Sequence, residues 1–120
     1  MTNKTYHDLV REAKTRVAEV SAADTARTLA ENPGTVIVDC REPNESALGT
    51  IAGAVAIPRG ILEQNIERVA GRDQKVIVYC AGGNRSALAA DTLREMGYKD
   101  VATMAGGFRA WVDMGGDVDF

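Results

Sequence analysis

Apolar positions in the first thirty residues recur at helical spacing. They predict an amphipathic helix over about residues 4–16. Its apolar positions are Tyr6, Leu9, Val10, Ala13 and Val17. Residues 17–20 could instead form a short strand, which the periodicity does not decide. Ser21, followed three positions later by Asp24, resembles a capping box. It predicts a second helix, which runs to about Glu31 and ends at an Asn-Pro-Gly turn.

Short continuous apolar runs follow, and they predict strands. The runs VIVD at 36–39 and VIVY at 76–79 are typical of parallel strands that are buried on both faces. Shorter runs at 54–57 and 101–103 predict two more strands. A polar segment that contains Pro43 separates the runs at 36–39 and 54–57, and we expect a loop there.

Helical patterns lie between and after these runs. Leu62, Ile66 and Val69 mark one face of a helix. Two further helices are predicted over about residues 86–96 and 108–114, and the tail after them is expected to be frayed. Because strands alternate with helices throughout, the chain is expected to be an α/β domain with a mostly parallel sheet.

Composition and charge exclude several classes of protein. A chain of 120 residues fits one domain, and 45% hydrophobic with 26% charged residues is ordinary for a globular protein. No apolar run approaches the about 20 residues that span a membrane, and the N-terminus lacks the apolar core of a secretory signal. The net charge is −3 without a basic block, so we expect neither a nucleic-acid nor a membrane surface. These features favour a cytoplasmic protein.

Two cysteines and one histidine restrict the chemistry. Cys40, Cys80 and His7 do not form a local cluster that could hold zinc, so neither a metal nor a cofactor is expected. A hydrolase with a Ser or Cys nucleophile needs a nearby histidine base. His7 lies on the predicted N-terminal helix, where a solvated surface position is the better interpretation.

The strongest chemical signal is the junction between the strand at 76–79 and the next helix. Cys80 follows the strand directly, and ligands gather at the carboxyl ends of strands in open α/β sheets. Gly82 and Gly83 allow a tight curl that aims amide groups inward, and the following helix adds the positive end of its dipole. Arg85 could add a fixed charge. All of these favour a thiolate, so the junction predicts a cysteine nucleophile with a lowered pKa.

At this junction the sequence resembles a single-domain rhodanese. The resemblance covers about residues 17–114, after the N-terminal helix. It rests on four motifs: VDCRE at 38–42, GTIAGAVAIP at 49–58, CAGGNR at 80–85 with Ser86 following, and GGFRAW at 106–111. The chain departs from the common pattern at Thr50 and Ala56, where histidines are frequent. The resemblance implies a rhodanese-like domain, with helices on both faces of a central sheet.

The resemblance also implies a reaction. Cys80 takes a sulfane sulfur from thiosulfate or a persulfide donor, and a thiol or cyanide acceptor then removes it from the Cys80 persulfide. The expected donor-binding residues are Arg41 and the loop residues Ala81, Gly82, Gly83, Asn84 and Arg85. The expected supporting residues are Asp39, Glu42 and Ser86. A structural ion pair is the competing interpretation of Asp39 and Arg41. No general base is needed where the thiolate already exists, and a covalent intermediate predicts ping-pong kinetics.

Other functions stay open at this point. A sulfur-relay or regulatory module would form the same persulfide and pass the sulfur to a protein partner, and a non-catalytic binding domain would leave Cys80 at an ordinary pKa. Cysteine phosphatases and arsenate reductases carry their Arg one position further from the Cys than Arg85 is from Cys80. Cys40 could act as a resolving thiol within disulfide reach of Cys80. Because Asp39 and Cys40 point to opposite sides of a strand, a buried structural Cys40 is the favoured interpretation.

Overall fold

A parallel sheet forms the centre of the structure, a computed structural model in which residues 3–120 are described. Its five strands are β1 (Ala18–Val20), β2 (Val36–Asp39), β4 (Val55–Ala56), β5 (Val76–Tyr79) and β6 (Val101–Met104). Strands β3 (Thr50–Ile51) and β7 (Val118–Asp119) form a separate antiparallel pair. The order of the main sheet is β1-β6-β5-β2-β4, and every neighbouring pair is parallel. The prediction of an α/β fold with a mostly parallel sheet is therefore confirmed.

Six α-helices in the described part of the chain surround the sheet. They are α1 (Tyr6–Arg16), α2 (Ala22–Glu31), α3 (Pro43–Ser46), α4 (Leu62–Asn65), α5 (Asn84–Glu95) and α6 (Gly107–Asp113). Two 3₁₀ turns, Arg59–Ile61 and Ile66–Arg68, flank α4, so the helix predicted in this region is irregular. Within residues 3–120, every helix is too short or too polar to cross a lipid bilayer.

Side-chain caps start the first two helices. Thr5 Oγ1 accepts a hydrogen bond from the Asp8 N–H, and the Asp8 carboxylate accepts one from the Thr5 N–H. Ser21 Oγ accepts a hydrogen bond from the Asp24 N–H at the start of α2. Each cap satisfies an amide that the first turn of a helix leaves free. The caps fix the residues at which α1 and α2 begin, and the short strand β1 lies between these two helices.

The alternation of side chains along β2 and β5 divides the core into two layers. Val38 and Val78 face a cluster that includes residues of α4 and α5. Ile37 and Ile77 face the opposite cluster, which includes residues of α2 and α6. Because successive residues of a strand point to opposite faces, this arrangement covers the sheet on both sides.

The C-terminal tail is ordered, so the prediction of a frayed end is wrong. Val118 and Asp119 pair with β3, and the Gly53 N–H donates to the Asp119 carboxylate at 3.0 Å. The Trp111 indole N–H donates to the Asp117 carbonyl at 2.8 Å, with Gly116 packed directly on the indole ring. The pairing of β7 with β3 and the Gly53–Asp119 hydrogen bond join positions far apart in sequence, where local patterns carry no signal.

Candidate functional site

Cys80 lies at the carboxyl end of the central strand β5, where the chain curls into α5. Gly83 takes a left-handed conformation with φ of +107° immediately before that helix. This turn brings the Gly83 N–H to 3.1 Å and the Ser86 N–H to 3.4 Å from Cys80 Sγ. The helix starts at Asn84, two residues before the predicted position. The loop therefore forms a cradle of amide donors around one sulfur atom, which is the arrangement that the spacing of the glycines predicts.

Two hydroxyl groups extend this cradle. Ser86 Oγ lies 3.4 Å from Cys80 Sγ and 2.7 Å from Thr103 Oγ1. Both hydroxyl residues are buried, so this short chain of polar groups is shielded from water. Thr103 lies on β6, and nothing near it in the sequence marks it as part of the site. It orients the Ser86 hydroxyl, which in turn contacts the sulfur.

The surroundings of Cys80 favour its thiolate form. Its side chain is only 1% exposed, and its pKa is lowered to about 4. A hydrogen bond with the Cys40 thiol is the largest cause; burial opposes it, and the Ser86 hydroxyl and the amides of Ser86 and Gly83 add to it. The same interaction, together with burial, raises the pKa of Cys40 well above its usual range. At neutral pH the pair therefore consists of a Cys80 thiolate and a Cys40 thiol.

Alkylation of Cys80 by iodoacetamide should keep its full rate far into the acidic range. The thiolate is the reactive form, so the rate should be half-maximal near pH 4 and not near the about 8.5 of a free cysteine. Measuring the rate against pH by mass spectrometry checks this. In Cys40→Ala the midpoint should rise, because a thiol donor is lost, and Cys40→Ser should change it less. A wild-type midpoint near that of a free cysteine would contradict this picture of the site.

Arg85 is held in an ion pair with a carboxylate. Its guanidinium makes two hydrogen bonds with the Glu45 carboxylate, at 2.7 and 3.0 Å. This pairing lowers the pKa of Glu45 to about 2 and raises that of Arg85. The expected free charge beside the thiolate is thus compensated by a residue of α3. Glu45 is 40 positions away in sequence, and no sequence motif singled it out.

Asp39 and Arg41 form a buried ion pair beside the loop. The Arg41 guanidinium donates to both Asp39 oxygens, with contacts of 2.7–3.1 Å, and to the Gly49 carbonyl at 2.6 Å. Asp39 also accepts hydrogen bonds from the Tyr79 and Ser46 hydroxyls. The side chains are 0% and 6% exposed, so the pair ties β2, β5 and α3 together.

A cleft of about 310 Å³ opens beside Ala81. Its walls are formed by Arg41, Ala81, Phe108, Arg109, Val112 and Asp113. The Arg41 guanidinium lies over the Phe108 ring, 4.3 Å from its centroid, and forms part of one wall. The cleft thus offers mixed apolar and cationic surroundings next to the loop. A donor-binding role for Arg41 stays a prediction, because most of its donor groups already have partners.

The start of α6 packs against the loop backbone. The N–H groups of Phe108 and Arg109 donate to the carbonyls of Cys80 and Ala81, at 2.7 and 3.3 Å. Gly107 has a φ of +58°, and a Cβ atom there would lie 2.5 Å from the Ala81 carbonyl oxygen and closer still to that of Cys80. The glycine pair of the motif at 106–111 therefore permits a close approach that holds the loop in place.

The structure brings most of the other predicted residues to this edge. Cys40 follows β2 directly, and its side chain shares a core cluster with Cys80. Glu42 precedes α3, where its N–H donates to the Glu45 carboxylate and its carbonyl accepts the Glu45 N–H. Its backbone, and not its carboxylate, makes these contacts. His7 is exposed on α1, and residues 3–120 contain no group of three or more possible metal ligands.

Comparisons with known proteins agree with this geometry. A sulfurtransferase of Allochromatium vinosum is 31% identical over 82% of this chain and 92% of its own length. The thiosulfate sulfurtransferase GlpE of Pseudomonas paraeruginosa is 38% identical over 75% of this chain and 80% of its own. A solved structure from Rhodopseudomonas palustris, described as a protein of unknown function and possible tyrosine phosphatase, superimposes with a TM-score of 0.87. It is 35% identical and covers 99% of this chain and 97% of its own.

The model of the rhodanese-like domain matches residues 22–114, which contain the Cys80 loop, the Asp39–Arg41 pair and the start of α6. The relatives cover most of both chains and include named sulfurtransferases. The chain therefore belongs to the rhodanese-like domain family of sulfurtransferases.

Proposed function

We propose that this protein transfers sulfane sulfur through a persulfide on Cys80. The observation that carries the proposal is Cys80 Sγ held by the N–H groups of Gly83 and Ser86, which lower the pKa of the thiol. A cysteine that is already ionised needs no base to become a nucleophile. This agrees with the position of His7, which is exposed on α1.

The first half-reaction loads the cysteine. The Cys80 thiolate attacks the outer sulfur of thiosulfate, the S–S bond of the donor breaks, and sulfite leaves with the electron pair. Cys80 then carries a persulfide. Negative charge in this state lies beside the loop amides and the positive end of the α5 dipole, which both stabilise an anion.

The second half-reaction removes the sulfur. An acceptor thiolate, or cyanide, attacks the outer sulfur of the persulfide, and Cys80 leaves as a thiolate in a step that follows the rules of thiol–disulfide exchange. The same features that lower the pKa of Cys80 make it a good leaving group. The cleft beside Ala81 offers an acceptor access to the loop.

The two unpaired cysteines fit a reducing compartment such as the cytoplasm.

Phosphate transfer is the second candidate, since one similar structure is described as a possible tyrosine phosphatase. A phosphate site uses the planar fork of an arginine to hold two oxygens. Here both terminal nitrogens of Arg85 are bonded to Glu45, and the Arg stands only five positions after the Cys. Both observations favour sulfur transfer.

Intact mass after incubation with thiosulfate tests the proposal. The wild-type protein should gain one sulfur, about 32 Da, and cyanide or dithiothreitol should remove it. Cys80→Ser should gain nothing, whereas Cys40→Ser should still be loaded. If thiosulfate and glutathione persulfide both fail to load the wild type, the proposal is wrong. Hydrolysis of para-nitrophenyl phosphate by the wild type but not by Cys80→Ser would support the phosphatase instead.

The identity of the sulfur acceptor distinguishes an enzyme that acts on small molecules from a relay that passes sulfur to another protein. We propose a small thiol or cyanide as acceptor. Release of sulfur to glutathione at a rate that matches loading would support this. A persulfide that is stable to small thiols yet is lost to a protein acceptor would indicate a sulfur relay.

A further inference from the structure

Cys40 is a buried cysteine that takes no covalent part in the proposed reaction. It is 0% exposed and follows β2 directly, as Cys80 follows β5. The two strands are parallel neighbours with Asp39 opposite Tyr79 in register. The Cys40 N–H donates to the Tyr79 carbonyl at 3.0 Å, which carries this register one residue beyond the ladder. Cys40 and Cys80 are therefore cross-strand neighbours.

Strand alternation places both thiols on the same face. Tyr79 meets Asp39 on one side of the sheet through the hydrogen bond between their side chains, at 3.0 Å. The next residue of each strand points the opposite way, and both cysteines belong to the same core cluster. Cys40 points away from Asp39, and Cys80 points away from Tyr79, so both cysteines lie on the same face of the sheet. Alternation along the strand therefore favours contact between Cys40 and Cys80, and it does not count against a resolving role for Cys40.

This spacing suits a disulfide bond. Neighbouring strands lie about 4.7–4.9 Å apart, within the about 4.4–6.8 Å between the Cα atoms of bonded cysteines. Cys40 and Cys80 are not joined by a disulfide in this structure. Each lies just past the end of its strand, with its backbone still hydrogen-bonded: the Cys40 N–H and carbonyl pair with Tyr79 and Arg59, and the Cys80 carbonyl accepts the Phe108 N–H. Because the backbone spacing already suits a disulfide, closing the bond needs rotation of the two side chains more than movement of the sheet.

We propose that Cys40 is a resolving cysteine, which protects Cys80 by forming a Cys40–Cys80 disulfide when a peroxide oxidises the Cys80 thiolate. In the first step the thiolate attacks one peroxide oxygen, the O–O bond breaks, and Cys80 becomes a sulfenic acid while an alkoxide or hydroxide leaves with the electron pair and takes a proton from solvent. In the second step Cys40 attacks Cys80 Sγ, the S–O bond breaks, and water leaves with the proton of Cys40. A dithiol reductant restores both thiols.

The state of Cys80 determines when Cys40 reacts. While Cys80 is a thiolate, its interaction with Cys40 raises the pKa of Cys40, so Cys40 stays a thiol of low nucleophilicity. A sulfenic acid is neutral, so this restraint disappears when Cys80 is oxidised. Because Cys40 lies inside the core, it reaches Sγ without passing through solvent. The proposal depends on the thiolate and on the register of β2 and β5, and it does not require sulfur transfer.

Peptide mapping after peroxide treatment tests the proposal. Reduced wild-type protein is treated with hydrogen peroxide, alkylated under denaturing conditions and digested with trypsin. The wild type should lose about 2 Da, resist alkylation at both cysteines and yield residues 28–41 linked to 76–85. Dithiothreitol should reverse the change. Cys40→Ser should instead gain about 32 or 48 Da on Cys80, as sulfinic or sulfonic acid that dithiothreitol does not remove.

The controls separate this result from other causes. Cys40→Ala serves as a second variant, and circular dichroism shows that each variant is folded. In Cys80→Ser, Cys40 should stay available for alkylation after denaturation, because the thiolate that reacts first is missing. Irreversible oxidation of the wild type at the rate of Cys40→Ser would overturn the proposal, as would a disulfide that links two chains. Neither outcome depends on loading by thiosulfate, so failure of sulfur transfer is a separate result.

Discussion

Replacing Gly107 with alanine should destabilise the protein by about 2–5 kcal/mol, the sum of a left-handed backbone cost and overpacking. The φ of +58° disfavours any side chain, and the new Cβ would press on the carbonyl oxygens of Cys80 and Ala81. These atoms are backbone, so no side chain can rotate away. Since a domain is stable by only about 5–15 kcal/mol, much of the stability would be lost.

Gly115 provides the matched control. It has a φ of +81°, yet nothing lies within 4 Å of where its Cβ would be. Gly115→Ala should therefore cost only the about 1–2 kcal/mol of the left-handed conformation. Urea denaturation of both variants measures the difference. Equal losses for the two would show that the loop does not depend on close contact with α6.

Replacing Asp39 with alanine should cost about 3–5 kcal/mol, because it leaves the buried Arg41 guanidinium without its counter-charge. Arg41 is 6% exposed, so water cannot take over the lost contacts. The Tyr79 hydroxyl loses its acceptor in the same change. Thermal or urea denaturation measures the loss.

Two further variants separate burial from charge. Asp100→Ala breaks a partly exposed ion pair with Lys75 and should cost at most about 1 kcal/mol. Adding Arg41→Met to Asp39→Ala should recover part of the stability, because the isolated charge is removed. A double variant as unstable as the sum of both single variants would show that the two residues act independently.

Local chemistry accounts for what the sequence could predict. The runs at 36–39 and 76–79 are strands because consecutive apolar residues, VIV in each, fit the buried middle of a parallel sheet. The cradle around Cys80 follows from glycine spacing and a helix start within a few residues. Both signals lie within short stretches of chain, where residue type limits the backbone directly.

Features that depend on distant pairing escaped prediction. The Glu45–Arg85 ion pair and the strand pair of β3 with β7 join segments that are neighbours only in the folded chain. The position of Cys40 needed the register of β2 against β5, since alternation alone gives the face of each residue and not its neighbour. The order and register of the strands were therefore needed to place Cys40 beside Cys80, and short sequence patterns do not give them.

The position of β5 also bears on the dynamics of the site. It is the middle strand of five, so its backbone is paired on both sides, and such strands open only with the largest part of the fold. Because Cys80 follows this strand directly, we expect its surroundings to unfold locally only rarely. Most reactive loops, by contrast, belong to segments that open easily. Reagents must therefore reach its sulfur while the loop is folded, and the reaction rate of Cys80 measures a property of the folded state.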